Sequence, residues 1–132
     1  MNPFSEVKEV KTTLKSDVSK IRAFENAKYV DYSRPTYWRA GIRDEVWNNA
    51  KDSYGRVRDP VTGQYMSKNQ PWDMGHKPGY EFRKHQKSAM ERGISREKFL
   101  DEYFNAEHFR PELPESNRSH KGENVTDEYF GD

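Results

Sequence analysis

Apolar residues recur at three- and four-residue steps near the start of the chain: Val7, Val10, Leu14, Val18, Ile21 and Phe24 fall on one stripe, with Lys and Glu on the other faces. That period predicts a helix over residues 5–24, of about five turns, that packs or links rather than catalyses. The segment "ENAKYVDYSRP" breaks the stripe and ends at Pro35. A second helix is predicted over residues 36–51, where Trp38, Ile42 and Val46 share a face and Trp47 sits beside them. The period then changes. Val57 alternates with Arg56 and Arg58, Asp59-Pro60 and Thr62-Gly63 are turn dipeptides, and Tyr65 and Met66 restore the apolar content; together these predict a β-hairpin.

Beyond the hairpin, "SKNQPWDMGHKPG" is rich in turn residues and leads a short strand into a corner at Gly75 and His76. Helical spacing returns from Tyr80 to Arg92, with Gly93 as its natural stop. Ser95 is suited to cap a further helix whose Phe99, Leu100, Tyr103 and Phe104 fall on one side. Pro111 and Pro114 are expected to end that run in a loop, and "ENVTDEYFGD" to be a frayed acidic tail without a role. His85 and His108 read as structural or surface residues. Trp38, Trp47 and Trp72 read as core, with Trp72 beneath the His76 turn.

With 132 residues the chain suits one domain with a modest core. Its 34% charged residues, 32% hydrophobic residues and mean hydropathy of −1.27 would fit a disordered chain, but 14% aromatic residues supply material for a core. A net charge of +1 does not mark a nucleic-acid binder; a local basic patch would decide that. There is no cysteine, so disulfides and thiolate metal sites are excluded, and any ion must be held by His, Asp, Glu or Asn. No apolar run is long enough to span a bilayer and Met1 opens no signal-peptide pattern, so an export address is expected on a larger precursor.

Two polar clusters carry the candidate chemistry. Asp73, His76 and Glu81 form the first; Asn117, His120 and Glu123 form the second, where a His and a Glu three apart can share one face of a helical turn. Together they offer an imidazole base, an amide to orient it, and nitrogen and oxygen donors for a divalent cation, the parts of metal-assisted phosphodiester hydrolysis. On the residues alone, His76 remains open between a general base and a histidine of a tight turn. Arg83, Lys84, His85 and Lys87 form a basic run, which with Arg92, Arg96, Arg110, Arg118 and Lys121 could line a path for a phosphate backbone; Lys84 and Lys87 read equally well as a solvated helix face.

The segments "DMGHKPGYEF" and "RPELPESNRSHKGE", in that order, resemble the GH-E family of the HNH/endonuclease VII superfamily, nuclease toxin domains found at the C-termini of bacterial polymorphic toxins. The resemblance runs from about Tyr54 to Glu123 and includes "DPVTGQYM" and "GISREKFLDEYFN". It implies an α+β fold: a ββα-metal (HNH/His-Me finger) nuclease core with additional helices. Residues 1–35 would then be an N-terminal helix and linker at the junction with a delivery region, and residues 36–132 the nuclease domain.

The same resemblance implies roles. His76 would be the general base, Asn117 would hold the loop that orients it, and Glu81 would complete the catalytic set. Many HNH enzymes carry an Asp or His metal ligand directly before the catalytic His. Here Gly75 stands at that place, so one divalent ion would be held by Glu123, His120 and Asp73, with Glu81 as the next candidate. Mg²⁺ comes first, with Zn²⁺, Mn²⁺ or Ni²⁺ as alternatives. Arg118, Lys121, Lys77 and Arg83 would contact the nucleic acid. The implied activity is a metal-dependent DNA endonuclease of low sequence preference, secreted within a larger bacterial toxin, acting in the target-cell cytoplasm and held in check by a cognate immunity protein, with no membrane insertion of this domain. The alternatives are a metal-independent RNase using Glu81 and His76 as an acid–base pair, and a non-catalytic module that binds nucleic acid or protein.

Overall fold

The structure, a computed structural model, describes residues 18–25 and 27–131. Residues 5–17 of the predicted N-terminal helix lie outside the described residues. Its remainder, α1, is helical over residues 18–25 and leaves Val18, Ile21 and Phe24 exposed. α2 (Ile42–Asn49) is shorter than the predicted span because Gly41, at φ 83°, starts it in a left-handed conformation that glycine adopts readily. Trp38 therefore precedes the helix. It is 40% exposed rather than core, its ring stacked on Tyr103.

The predicted hairpin forms as β1 (Val57–Arg58) and β2 (Tyr65–Met66), paired antiparallel. Asp59, at its turn, is buried and does more than initiate the turn. Its carboxylate accepts from the Thr62 N–H and hydroxyl, from the Leu113 N–H and from the Ser116 hydroxyl, at 2.8–2.9 Å. Burial pushes its pKa up, but these donors outweigh burial and hold it below the ordinary carboxylate value. The hairpin is thereby fastened to the start of the last helix.

β3 (Asp73–His76) carries the Gly-His pair within the strand and pairs antiparallel with β4 (Phe109–Glu112). The loop expected at Pro111 is thus a strand, in which Pro111 stands opposite Met74. In a two-stranded sheet each strand has an open edge, where the missing N–H of a proline breaks no ladder bond. Pro114 likewise begins a helix, α5 (Pro114–Arg118), at the first-turn position where proline's fixed φ is favourable. Between the two strands the chain makes α3 (Phe82–Arg92), α4 (Arg96–Tyr103) and a 3₁₀ turn (Ala106–His108). Gly93 ends α3 at φ 60° and Ser95 caps α4 by accepting from the Lys98 N–H, both as the sequence predicts.

The main core joins Ile42, Val46 and Trp47 of α2 to Val57, Met66, Trp72, Met74, Tyr103, Ala106 and Phe109. A second cluster seats Tyr32 against Ala89 and Phe99, so the segment just before Pro35 packs on α3 and α4. Trp72 packs on Trp47 at 5.2 Å between ring centroids, with the Arg43 guanidinium 3.7 Å from its ring. The acidic tail is docked rather than frayed. Arg83 bonds to Asp127 and to the carbonyls of Asn124 and Thr126, Lys84 bonds to Asn124, and the Phe130 N–H donates to Gly79. Among the described residues no helix is long and apolar enough to cross a membrane.

Candidate active site

His76 ends β3 with its ring against aromatic neighbours, 4.5 Å from Phe109 and 5.8 Å from Tyr103 between centroids. Burial, with the nearby charge of Arg34 adding to it, pushes the imidazole pKa down to about 3. The ring is therefore neutral at physiological pH. Its Nε2 is buried and has no hydrogen-bond partner among the described residues. Such an orphaned atom costs about 1–3 kcal/mol and calls for a function. His76 lines a cavity of about 390 Å³, which it shares with Glu81, Glu112, Asn117, Arg118, His120 and Glu123.

Gly75 is explained by Glu112. Asp73 pairs with Glu112 and Gly75 with Arg110, which sets these residues on one side of the strand pair. The Glu112 side chain covers Gly75 so closely that a Cβ there would overlap its carboxylate. Glu112 is buried, and burial pushes its pKa up against the opposing effect of Arg110, whose Nε lies 3.6 Å from Oε2.

α5 and the turn after it supply the second cluster. Asn117 donates from Nδ2 to Asp73 at 3.0 Å, and the Arg118 Nε lies 3.3 Å from the same oxygen, so the Asp73 carboxylate faces α5. His120 adopts φ 61°, a strained conformation for a residue with a side chain. Its Nδ1 lies 2.7 Å from Glu123 Oε1, which leaves Nε2 as the nitrogen able to bind a ligand. Glu81 is engaged elsewhere: both its oxygens accept from the Gly79 N–H at 2.9 Å, and buried Lys84 pairs with it at 2.9 Å. Lys84 is thus not a solvated helix face.

Much of the expected basic path is already paired within the chain. Arg92 pairs with Glu102, Arg96 bonds to the carbonyls of Asp31 and Ser33, and Arg83 is held by the tail. Arg118 reaches the cavity, Lys121 is exposed just beyond Ser119, and Lys77 donates its N–H to the His108 carbonyl. His85 is structural, as the sequence reading expects: its Nε2 bonds to the Phe99 carbonyl and its ring stacks on Phe99. Sequence reasoning missed Glu112, hidden between Pro111 and Pro114 in a segment taken for loop. Its signal was the pairing of that segment with the Gly-His strand.

Among the described residues no three His, Asp or Glu side chains gather closely enough to hold an ion by themselves. The donors around the cavity (the open nitrogen of His120 and the carboxylates of Glu123 and Glu112) are a mixed nitrogen and oxygen set that could contribute to holding a divalent ion. With so few protein donors, such an ion would be completed by waters and by oxygens of a substrate phosphate. His76, whose Nε2 has no hydrogen-bond partner among the described residues, lines the same cavity.

The family described as HNH/ENDO VII superfamily nuclease with conserved GHE residues matches residues 54–123, just over half of the chain. The chain belongs to the GH-E family. No solved structure matches it. As a GH-E protein it is an HNH-type nuclease, and its substrate is nucleic acid. The GH-E match runs from just before the β1–β2 hairpin to Glu123 and includes every residue that lines the cavity except Arg34.

Proposed function

We propose that the chain is a metal-dependent DNA endonuclease of low sequence preference, with His76 as general base. The observation that carries this reading is that His76, whose buried Nε2 has no hydrogen-bond partner among the described residues, lines a cavity shared with Glu112, Asn117, His120 and Glu123. β3, β4 and α5 are read as the ββα-metal unit, with α3 and α4 inserted between its strands. Glu112 joins the candidate carboxylates because it is the one seated against Gly75.

In the proposed reaction a water between His76 and the scissile phosphate gives its proton to Nε2 as its oxygen bonds to phosphorus. The ester bond opposite breaks, and the leaving oxygen takes a proton from solvent. A pKa of about 3 makes the free imidazole ready but weakly basic. A bound phosphate, negatively charged and close to the ring, raises its proton affinity as the reaction proceeds. Asn117 holds α5 to β3 through Asp73, and so keeps the His120–Glu123 turn in register with His76. A divalent ion, which His120, Glu123 and Glu112 would hold, supplies charge that offsets the build-up on the phosphoryl and leaving oxygens. No step uses a 2'-hydroxyl, which favours DNA. The engagement of Glu81 by Gly79 and Lys84 weighs against an RNase that uses it as an acid–base partner.

The biological setting follows from the resemblance to toxin domains: delivery within a longer protein, action in the cytoplasm of a target bacterium, and neutralisation by an immunity protein. Plasmid DNA and a matched RNA, incubated with the purified chain across Mg²⁺, Mn²⁺, Zn²⁺ and Ni²⁺, test the activity. DNA cleavage abolished by EDTA and restored by one of these ions is the expected outcome. RNA cleavage that persists in EDTA would reject it.

A further inference from the structure

Three arginines line the cavity, and they differ in what already holds them. Arg83 is bonded to Asp127 and to the carbonyls of Asn124 and Thr126, and Arg118 lies against Asp73. Arg34 is exposed and has neither an acid nor a hydrogen-bond acceptor among the described residues; its guanidinium rests on the Phe82 ring, 4.8 Å from the centroid. It lies before the region matched by the family, so the match gives it no role.

The position is built. Arg96 holds the carbonyls of Asp31 and Ser33 at 2.7 and 3.1 Å, and Gln86 holds that of Tyr32 at 2.9 Å. The Tyr32 hydroxyl bonds to Ile94, and Pro35 restricts the Arg34 backbone to extended conformations. A cation fixed from both sides, stacked on an aromatic face and left without an acid, is preorganised for an incoming anion. We infer that Arg34 anchors the substrate, its guanidinium binding non-bridging phosphate oxygens of the DNA backbone at the mouth of the His76 cavity.

This rests on the nuclease reading, but the two can fail separately. Arg34→Met keeps an apolar stem over Phe82 and removes the charge; Arg34→Lys returns it. Steady-state cleavage of a duplex oligonucleotide should show KM raised about tenfold in Arg34→Met, with a smaller change in kcat and partial recovery in Arg34→Lys. Binding is read in the His76→Ala background, where cleavage does not interfere, on a 20-base-pair duplex between 50 and 200 mM NaCl. There the slope of log K against log salt should fall by about one when Arg34→Met is added. An unchanged slope and an unchanged KM would overturn the anchor while leaving the nuclease intact. Wild-type protein that binds DNA with the Arg34-dependent slope but does not cleave it would sink the nuclease reading and keep the anchor. Protein that does not bind DNA at all would sink both.

Discussion

Gly75 and His76 stand next to each other for opposite reasons: one must lack a side chain, and the other is proposed to act through its imidazole. Replacing Gly75 by Ala drives a methyl group into the Glu112 carboxylate, which has little room to move because it is buried beside Arg110. Gly75→Ala is expected to lower cleavage about a hundredfold and to cost about 1–3 kcal/mol of stability, measured by plasmid nicking and urea melts. His76 also leaves a signature in stability. Its pKa is about 3 in the folded chain against 6.5 for the free ring, so below pH 6.5 the unfolded chain takes up a proton that the folded chain refuses. Stability contributed by the neutral ring is therefore complete above pH 6.5 and falls by roughly 1.4 kcal/mol per pH unit toward pH 3. Compared with His76→Gln over pH 4–7, the wild type should lose stability more steeply; parallel curves would contradict the burial of the ring. At this scale the sequence was half legible. The motif pointed to His76, but only strand pairing reveals that Glu112 lies over Gly75.

Elements were legible where period or capping chemistry was strong. Gly93 and Ser95 punctuate α3 and α4 as their residue types demand, and the Asp-Pro and Thr-Gly dipeptides mark the first hairpin. Pro111 and Pro114 misled, because a proline breaks a helix interior yet fits an edge strand and a first helical turn. Asp59 shows a second limit. Its turn was visible, but its bonds to Leu113 and Ser116 cross more than fifty residues and have no local trace. Asp59→Ala should leave the Thr62 and Leu113 N–H groups and the buried Ser116 hydroxyl without their acceptor, costing about 3 kcal/mol and loosening α5. Hydrogen exchange at Leu113 and Asn117 should then rise together; protection unchanged at both would show that the hairpin does not hold the helix.

At the scale of the whole molecule, the site is assembled from segments distant in sequence. β3 brings His76, β4 brings Glu112, the turn after α5 brings His120 and Glu123, and the segment before Pro35 brings Arg34. Two hydrophobic clusters of mixed aliphatic and aromatic side chains hold these together, which reconciles the low mean hydropathy with a defined fold. The docked tail was illegible because its contacts are single residues reaching Gly79, Arg83, Lys84 and His85 rather than any periodic face. The central claim is that one imidazole, with a buried and unpartnered Nε2, performs the proton transfer. Its most direct test is supercoiled plasmid cleavage by wild type and His76→Ala at equal concentration in the activating ion. A loss of about a hundredfold or more in rate is predicted, with DNA binding retained. Cleavage by His76→Ala at the wild-type rate would contradict the account.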